Sequence, residues 1–299
     1  MKTEEMSKKL KAIWEQFSNF VKWNYRVIKE TLFPKPGEIW KKKKTPGISV
    51  MSLNLRGDKA KDKSHTWVSR RESMVKMIRD KCPDIICCQE GWSHMIKYLK
   101  TKIGYNYDSY GIGTFSGKDL DKTLLTTLGN VVFYDKNKFE VESKEVFWLS
   151  ENPEERGSRS WETSEPRNCI VLKLKHKETG EYYTIFGTHF DHVSSWARTR
   201  SSEIVMEKAK KYKYESKVIF VGDFNATISE NELSPFKDLN YYPKPGFVTT
   251  TFNGFSKYKK TVCDYIILLG DNEDHLFEQI TDGYGVPYIT DHYPMMVVI

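Results

Sequence analysis

A short apolar run, Lys217-Val218-Ile219-Phe220-Val221, ends in Gly222-Asp223-Phe224-Asn225. The run is β-branched and does not alternate, which predicts a buried strand of the parallel type. Alternate side chains of an extended backbone share a face, so Asp223 and Asn225 reach into one site while Phe224 packs away. A carboxylate and an amide at a strand end are groups able to bind metal and phosphate. Taken alone, the ending is also what an Asp turn residue would give.

The same arrangement recurs along the chain. Val50-Met51-Ser52-Leu53 ends at Asn54, and Ile85-Ile86-Cys87-Cys88 ends at Gln89-Glu90. Tyr183-Thr184-Ile185-Phe186-Gly187-Thr188 ends at His189, followed by Asp191 and His192. Val262-Cys263 precedes Asp264-Tyr265-Ile266-Ile267, and Asp291-His292 opens the last strand. Each ending has an ordinary structural explanation: Asn54 as a turn residue, Glu90 as a surface acid, His189 as a satisfied core histidine, Asp264 as a strand-end cap. Six of them in one domain are hard to assign to chance.

The elements that must carry these residues follow from periodicity. Strands are predicted over 48–53, 83–89, 105–111, 129–134, 139–149, 168–175, 182–188, 217–222, 262–268, 276–281 and 294–299, and helices over 69–81, 93–100 and 197–212. Many adjacent strands with few helices predict an α/β fold in which two packed sheets have helices outside. A chain of 299 residues can bury a sizeable core.

Residues 1–47 carry twelve Lys/Arg and five Asp/Glu, which accounts for the whole net charge of +7 and leaves residues 48–299 formally neutral. Within that extension, residues 8–32 place apolar side chains at three- and four-residue spacing, and Lys41 to Lys44 form a charge run before Pro46-Gly47. The segment reads as a basic amphipathic helix and linker. Packing on the domain is its plain role; peripheral contact with an acidic membrane or with nucleic acid is the alternative. No run reaches membrane-spanning length, and no signal-peptide core is present. The five cysteines, without a Cys-x-x-Cys, suit free buried thiols in a reducing, intracellular compartment, cytoplasmic or nuclear, with disulfides or zinc ranked well behind.

Taken together, Ser52-Leu53-Asn54, Gln89-Glu90, Gly187-Thr188-His189, Gly222-Asp223-Phe224-Asn225, Asp264-Tyr265-Ile266 and Thr290-Asp291-His292-Tyr293-Pro294 resemble, in order, the motifs of the endonuclease/exonuclease/phosphatase superfamily. The last motif normally opens with Ser, and Thr290 keeps the hydroxyl. The resemblance covers residues 48–299. It implies a four-layer α/β sandwich like that of deoxyribonuclease I and a metal-dependent phosphoesterase.

The resemblance also assigns roles. Glu90, with Asn54 and Asp291, would bind Mg2+, with Mn2+ as a possible substitute, since both take oxygen ligands. Asp264 would orient His292, Asp223 would activate or orient the attacking water, with either Asp223 or His292 as the base, Asn225 would hold a phosphate oxygen and His189 would donate to one. Arg167, just before a strand, would reach substrate phosphate; a surface charge or a buried ion pair explains it equally well. Trp161 and Phe255 would stack on a base or sugar if they are not core residues.

Ala226-Thr227 after the Asp-Phe-Asn motif departs from the inositol-phosphatase branch, and Leu55-Arg56-Gly57 departs from the apurinic endonuclease branch. Phe147-Trp148-Leu149-Ser150, Gly187-Thr188-His189-Phe190-Asp191-His192 and Thr251-Phe252-Asn253-Gly254-Phe255 resemble a branch near the deadenylase-like members. The expected substrate is RNA, a single strand or a nucleotide, because a neutral domain lacks the basic face that long duplex DNA demands. A small phosphorylated metabolite such as a sugar phosphate is the alternative, and a non-catalytic scaffold ranks below both.

Overall fold

The computed structural model describes residues 47–58, 60–120 and 127–299, together with 11, 14, 15, 18, 21 and 40. The stripe predicted over 8–32 and the lysine run at 41–44 fall almost wholly outside these residues.

Among the described residues twelve strands form two six-stranded sheets. The first contains β1 (Ser49–Asn54), β2 (Ile85–Trp92), β3 (Tyr107–Gly113), β4 (Leu128–Asp135), β11 (Leu276–Gln279) and β12 (Met295–Val298), in the order β11-β12-β1-β2-β4-β3. The second contains β5 (Phe139–Trp148), β6 (Asn168–His176), β7 (Tyr182–His189), β8 (Lys217–Asp223), β9 (Asn240–Tyr242) and β10 (Asp264–Leu269), in the order β5-β6-β7-β8-β10-β9. Each sheet has one parallel pair, β1 with β2 and β7 with β8. Such a pair needs a crossover, and α1 (Trp67–Lys81) and α3 (Ser195–Ala209) lie on these two; α2 (Ser93–Ile103) follows β2.

Period-two alternation sorts the apolar side chains into three cores. Val50, Ile85, Val132, Ile170, Ile185, Ile219 and Ile266 meet between the sheets. Met51, Leu53, Ile86 and Cys88 face the other way, onto Met74, Met77 and Ile78 of α1 and Met95 and Leu99 of α2. Val171, Phe186 and Phe220 pack against Val205 and Ala209 of α3. The result is helix, sheet, sheet, helix: the four-layer sandwich.

Boundaries moved where local chemistry sets them. The helix predicted over 197–212 starts two residues earlier, because Ser194 caps it by accepting from the Ala197 N–H at 3.1 Å. The strand predicted to stop at 89 continues to Trp92 through an irregularity at Glu90. The three-residue edge strand β9 has no counterpart in the sequence reading; it is too short to leave a periodic signal. All five cysteines are buried and none forms a disulfide, as expected.

Candidate active site

The polar strand endings converge at one edge of the sandwich. In the first sheet Asn54 closes β1 opposite Gln89 of β2. Glu90 follows in a β-bulge: Cys88 and Gly91 pair with Val131 and Gly129, so two residues of β2 face Asn130 alone, and Glu90 has φ 55°. A bulge re-aims a side chain. Here it turns the carboxylate into the cleft, where the Gly57 N–H donates to Oε2 at 2.9 Å.

In the second sheet the register sets His189 beside Asp223 across the parallel pair, and Asp264 beside Asp223 across the antiparallel pair. Gly222 allows this closeness, since a Cβ there would lie 2.0 Å from the Thr188 carbonyl oxygen. Asp291 and His292 arrive on the segment before β12. The Asn253 and Gly254 N–H groups hold the Asp291 carbonyl at 2.8 and 2.9 Å, and the Thr290 hydroxyl donates to the Asn54 carbonyl at 2.7 Å.

These groups enclose a cleft of about 270 Å³ lined by Arg56, Glu90, His189, Asn225, Asp291 and His292, among others. Asp223 is its hub. Oδ2 accepts from Asn54 Nδ2 at 3.1 Å and lies 3.6 Å from Nε2 of both His189 and His292. Oδ1 accepts the Asn225 N–H at 3.0 Å. His292 Nδ1 and Asp264 Oδ2 are 2.8 Å apart.

Burial and neighbouring charge set the protonation. Burial, then the Arg167 cation, lowers the His189 pKa to about 4, so its ring is neutral near pH 7. Burial also opposes charge on His292, but Asp264 and Asp223 outweigh it and hold the imidazole well above its usual value. Burial, then Asp264, raises Asp223 above the ordinary carboxylate range. A carboxylate with a raised pKa is a stronger proton acceptor than an ordinary one.

The donor set can be tested against a hard divalent ion. Glu90 and Asp291 supply carboxylate oxygens at the cleft. Burial, opposed by His292 and reinforced by Glu90, raises the Asp291 pKa, so the two acids repel. Arg56 already answers part of that charge: its Nη1 lies 3.3 Å from Asp291 Oδ2, and the Asp62 hydrogen bond, then Asp291 and Glu90 against burial, raise its pKa. An oxygen-lined pair of repelling acids fits magnesium or manganese. Asn54 fits less well than expected. Its Oδ1 accepts the Arg56 N–H at 2.9 Å, which turns the amide NH2 toward Asp223 and toward Glu90 at 3.5 Å. In this orientation Asn54 presents donors to the carboxylates rather than an oxygen to a cation.

Asn225 also has a prior commitment, since Nδ2 donates to the Phe190 carbonyl at 3.0 Å. Arg167 is buried, with Nη2 3.0 Å from His192 Nδ1 and Nε 3.5 Å from Asp191 Oδ2; it does not line the cleft. An arginine can only donate, so His192 Nδ1 accepts and its Nε2 carries the proton. Trp161 is buried beneath Arg200, at 5.7 Å. Phe255 is stacked on His65 at 4.5 Å. Sequence reasoning gave no site role to Arg56, His192, Phe252, Thr261 and Cys263, which line the cleft. Arg56 carried a signal, lying two positions beyond Asn54 on the same strand exit. Phe252 lies in the Thr251–Phe255 stretch that resembles the deadenylase-like branch, whereas Thr261 carried no signal, because it reaches Phe252 through an isolated bridge between loops.

No family model matches the chain. The chain is 25% identical over 284 residues to an uncharacterized protein of Acanthamoeba polyphaga mimivirus, covering 84% of this chain and 99% of that protein. Nocturnin of Drosophila melanogaster is 24% identical over 171 residues, which are 54% of this chain and 24% of Nocturnin. Among solved structures, an endonuclease/exonuclease/phosphatase of Bacteroides vulgatus superposes with a TM-score of 0.74 at 26% identity, over 85% of this chain and 98% of that one. A mannosyl-6-phosphatase of Bacteroides thetaiotaomicron superposes with a TM-score of 0.72 at 27% identity, over 84% of this chain and 98% of that one. The fold is that of the endonuclease/exonuclease/phosphatase proteins, and the resemblance read from the motifs holds in three dimensions. Among the described residues no helix is long and apolar enough to cross a membrane.

Proposed function

We propose that this chain, built on the endonuclease/exonuclease/phosphatase fold, hydrolyses a phosphoester with a water activated at Asp223. The observation that carries the reading is the convergence on one Asp223 oxygen of Asn54, His189 and His292. A magnesium or manganese ion held by Glu90 and Asp291 would supply charge stabilisation for the phosphoryl oxygens. Asp223, with its raised pKa, accepts the proton of the water; the Asn54 amide and the Asn225 N–H fix the carboxylate's orientation. His292, kept cationic by Asp264, and neutral His189 donate N–H groups toward phosphoryl oxygen. Arg56 adds a fixed positive charge at the same end of the cleft. His192, with its proton on Nε2, donates from the rim to an oxygen of the substrate.

The preferred substrate is a small phosphorylated molecule of the sugar-phosphate kind. A cleft of about 270 Å³ is of the size that takes a small phosphorylated molecule, and the match to the mannosyl-6-phosphatase runs through nearly all of that protein. Nucleic acid, expected first from the sequence, is the second reading. It is favoured by the exposed Lys257-Tyr258-Lys259-Lys260 loop, whose Lys259 lies 6.0 Å above the cleft residue Phe252. Residues 1–47 are proposed as an appended extension rather than part of this site.

The test is hydrolysis of a panel containing hexose phosphates, inositol phosphates, single-stranded RNA and single-stranded DNA, with magnesium and with chelator, beside Asp223→Ala. Magnesium-dependent release of phosphate from a sugar phosphate, lost in the variant, is expected. Cleavage of RNA or DNA alone would select the second reading. Turnover that survives Asp223→Ala or chelation would refute the chemistry.

A further inference from the structure

Asp223, Cys263 and His292 are all buried, and one ligand atom from each lies within 4.8 Å of the other two. This trio is distinct from Glu90 and Asp291 in chemistry: it offers a thiol and an imidazole beside one carboxylate. We propose that it is a zinc site that arrests the enzyme, separate from the oxygen-liganded ion required for turnover.

Three features build the site. Asp264 occupies His292 Nδ1 at 2.8 Å, which leaves Nε2 as the ligating nitrogen and places a carboxylate behind it. That carboxylate–imidazole pair is the common support of a zinc-bound histidine. Thr251 Oγ1 accepts the N–H groups of both Cys263 and Asp264, at 3.0 and 3.1 Å, and so pins the backbone that carries the thiol. Cys263 lines the cleft, whereas Cys82, Cys87, Cys88 and Cys169 are buried in the chain's interior, none of them lining this cleft. Tetrahedral zinc, with bonds of about 2.0–2.3 Å, needs ligand atoms roughly 3.3–3.8 Å apart. The trio reaches that with about an ångström of side-chain movement. Binding would release the thiol proton and one imidazolium proton as Zn–S and Zn–N bonds form. Magnesium does not compete for a thiolate, and zinc favours one, so the two ions sort between neighbouring sites. Zinc here would tie up Asp223 and His292; in that consequence alone the proposal rests on the catalytic roles given above.

Cobalt(II) titrated into the full chain tests the site without requiring turnover. A near-ultraviolet thiolate-to-cobalt charge-transfer band saturating at one equivalent, displaced by zinc and lost in Cys263→Ala and Cys263→Ser, is expected. No band, or a band unchanged in both variants, would overturn the proposal. A parallel arm follows p-nitrophenyl phosphate and bis(p-nitrophenyl) phosphate turnover in excess magnesium. Half-inhibition by zinc should move at least tenfold higher in Cys263→Ser than in the wild type; equal inhibition would count against the site. If neither probe is turned over, the catalytic reading suffers while the cobalt band still decides the zinc site.

Discussion

Asn54 donates from Nδ2 to Asp223 Oδ2 across 3.1 Å, and the two residues stand 169 positions apart in the chain. One closes β1 in the first sheet and the other closes β8 in the second. Both are buried, so the bond ties the sheets together at the edge where the cleft opens. Asn54→Ala leaves the Asp223 carboxylate short of a donor in a buried place, which costs about 1–3 kcal/mol. Urea unfolding should register that loss. kcat should fall by at least about tenfold, because the water's acceptor is no longer held. Unchanged kcat would separate Asn54 from the chemistry.

Asp264→Asn keeps the shape of the pair with His292 and removes the charge that makes the imidazole cationic. General acid–base and orienting contributions of this kind are worth about 10²–10⁴ in rate. The expected result is a loss of that order in kcat with KM little changed and an intact near-ultraviolet circular dichroism spectrum. A loss confined to KM would mean that His292 serves binding alone.

His189 gives stability a pH dependence of known sign. Its folded pKa is lowered, first by burial, from 6.5 to about 4. As pH falls, the unfolded chain therefore takes up this proton first. The contribution is complete above about pH 6.5 and is lost progressively down to about pH 4, a span of roughly 3 kcal/mol. Urea midpoints measured between about pH 7 and pH 4 should show the decline, and His189→Gln should flatten it. Parallel curves for the two proteins would exclude His189 as the source.

Gly222 is set by packing. A Cβ would meet the Thr188 carbonyl oxygen at 2.0 Å, and that oxygen belongs to the paired strand, where it cannot step aside. Gly222→Ala should cost more than about 3 kcal/mol or prevent folding. A soluble, fully active Gly222→Ala protein would show that β7 and β8 can part at their ends without harm.

Glu90→Gln and Asp291→Asn test the proposed ion ligands. Each should raise the magnesium concentration for half-maximal turnover by at least about tenfold, and isothermal titration with manganese should weaken in step. Unaltered manganese binding in both would move the ion elsewhere.

Much of this arrangement was written in the chain. The order of strand endings, from Asn54 through Glu90, His189, Asp223 and Asp264 to His292, is legible in the chain; Glu90, His189 and His292 line the cleft, while Asn54, Asp223 and Asp264 are buried beside them. The reason is that alternation and apolar runs are local, and a polar residue breaking a buried run marks a strand's end. What the sequence could not state was orientation across the gap between sheets. Asn54 was expected to ligate the ion; its amide instead turns NH2 toward Asp223 because the Arg56 N–H holds its oxygen. Arg167 was expected at the phosphate; it lies buried behind His192. Arg56, Phe252 and Cys263 reach the cleft through loop paths that no periodicity records. Residue types and their order follow from the chain's own spacing, whereas which atom faces which depends on two sheets closing on one another, and only the tertiary structure decides that.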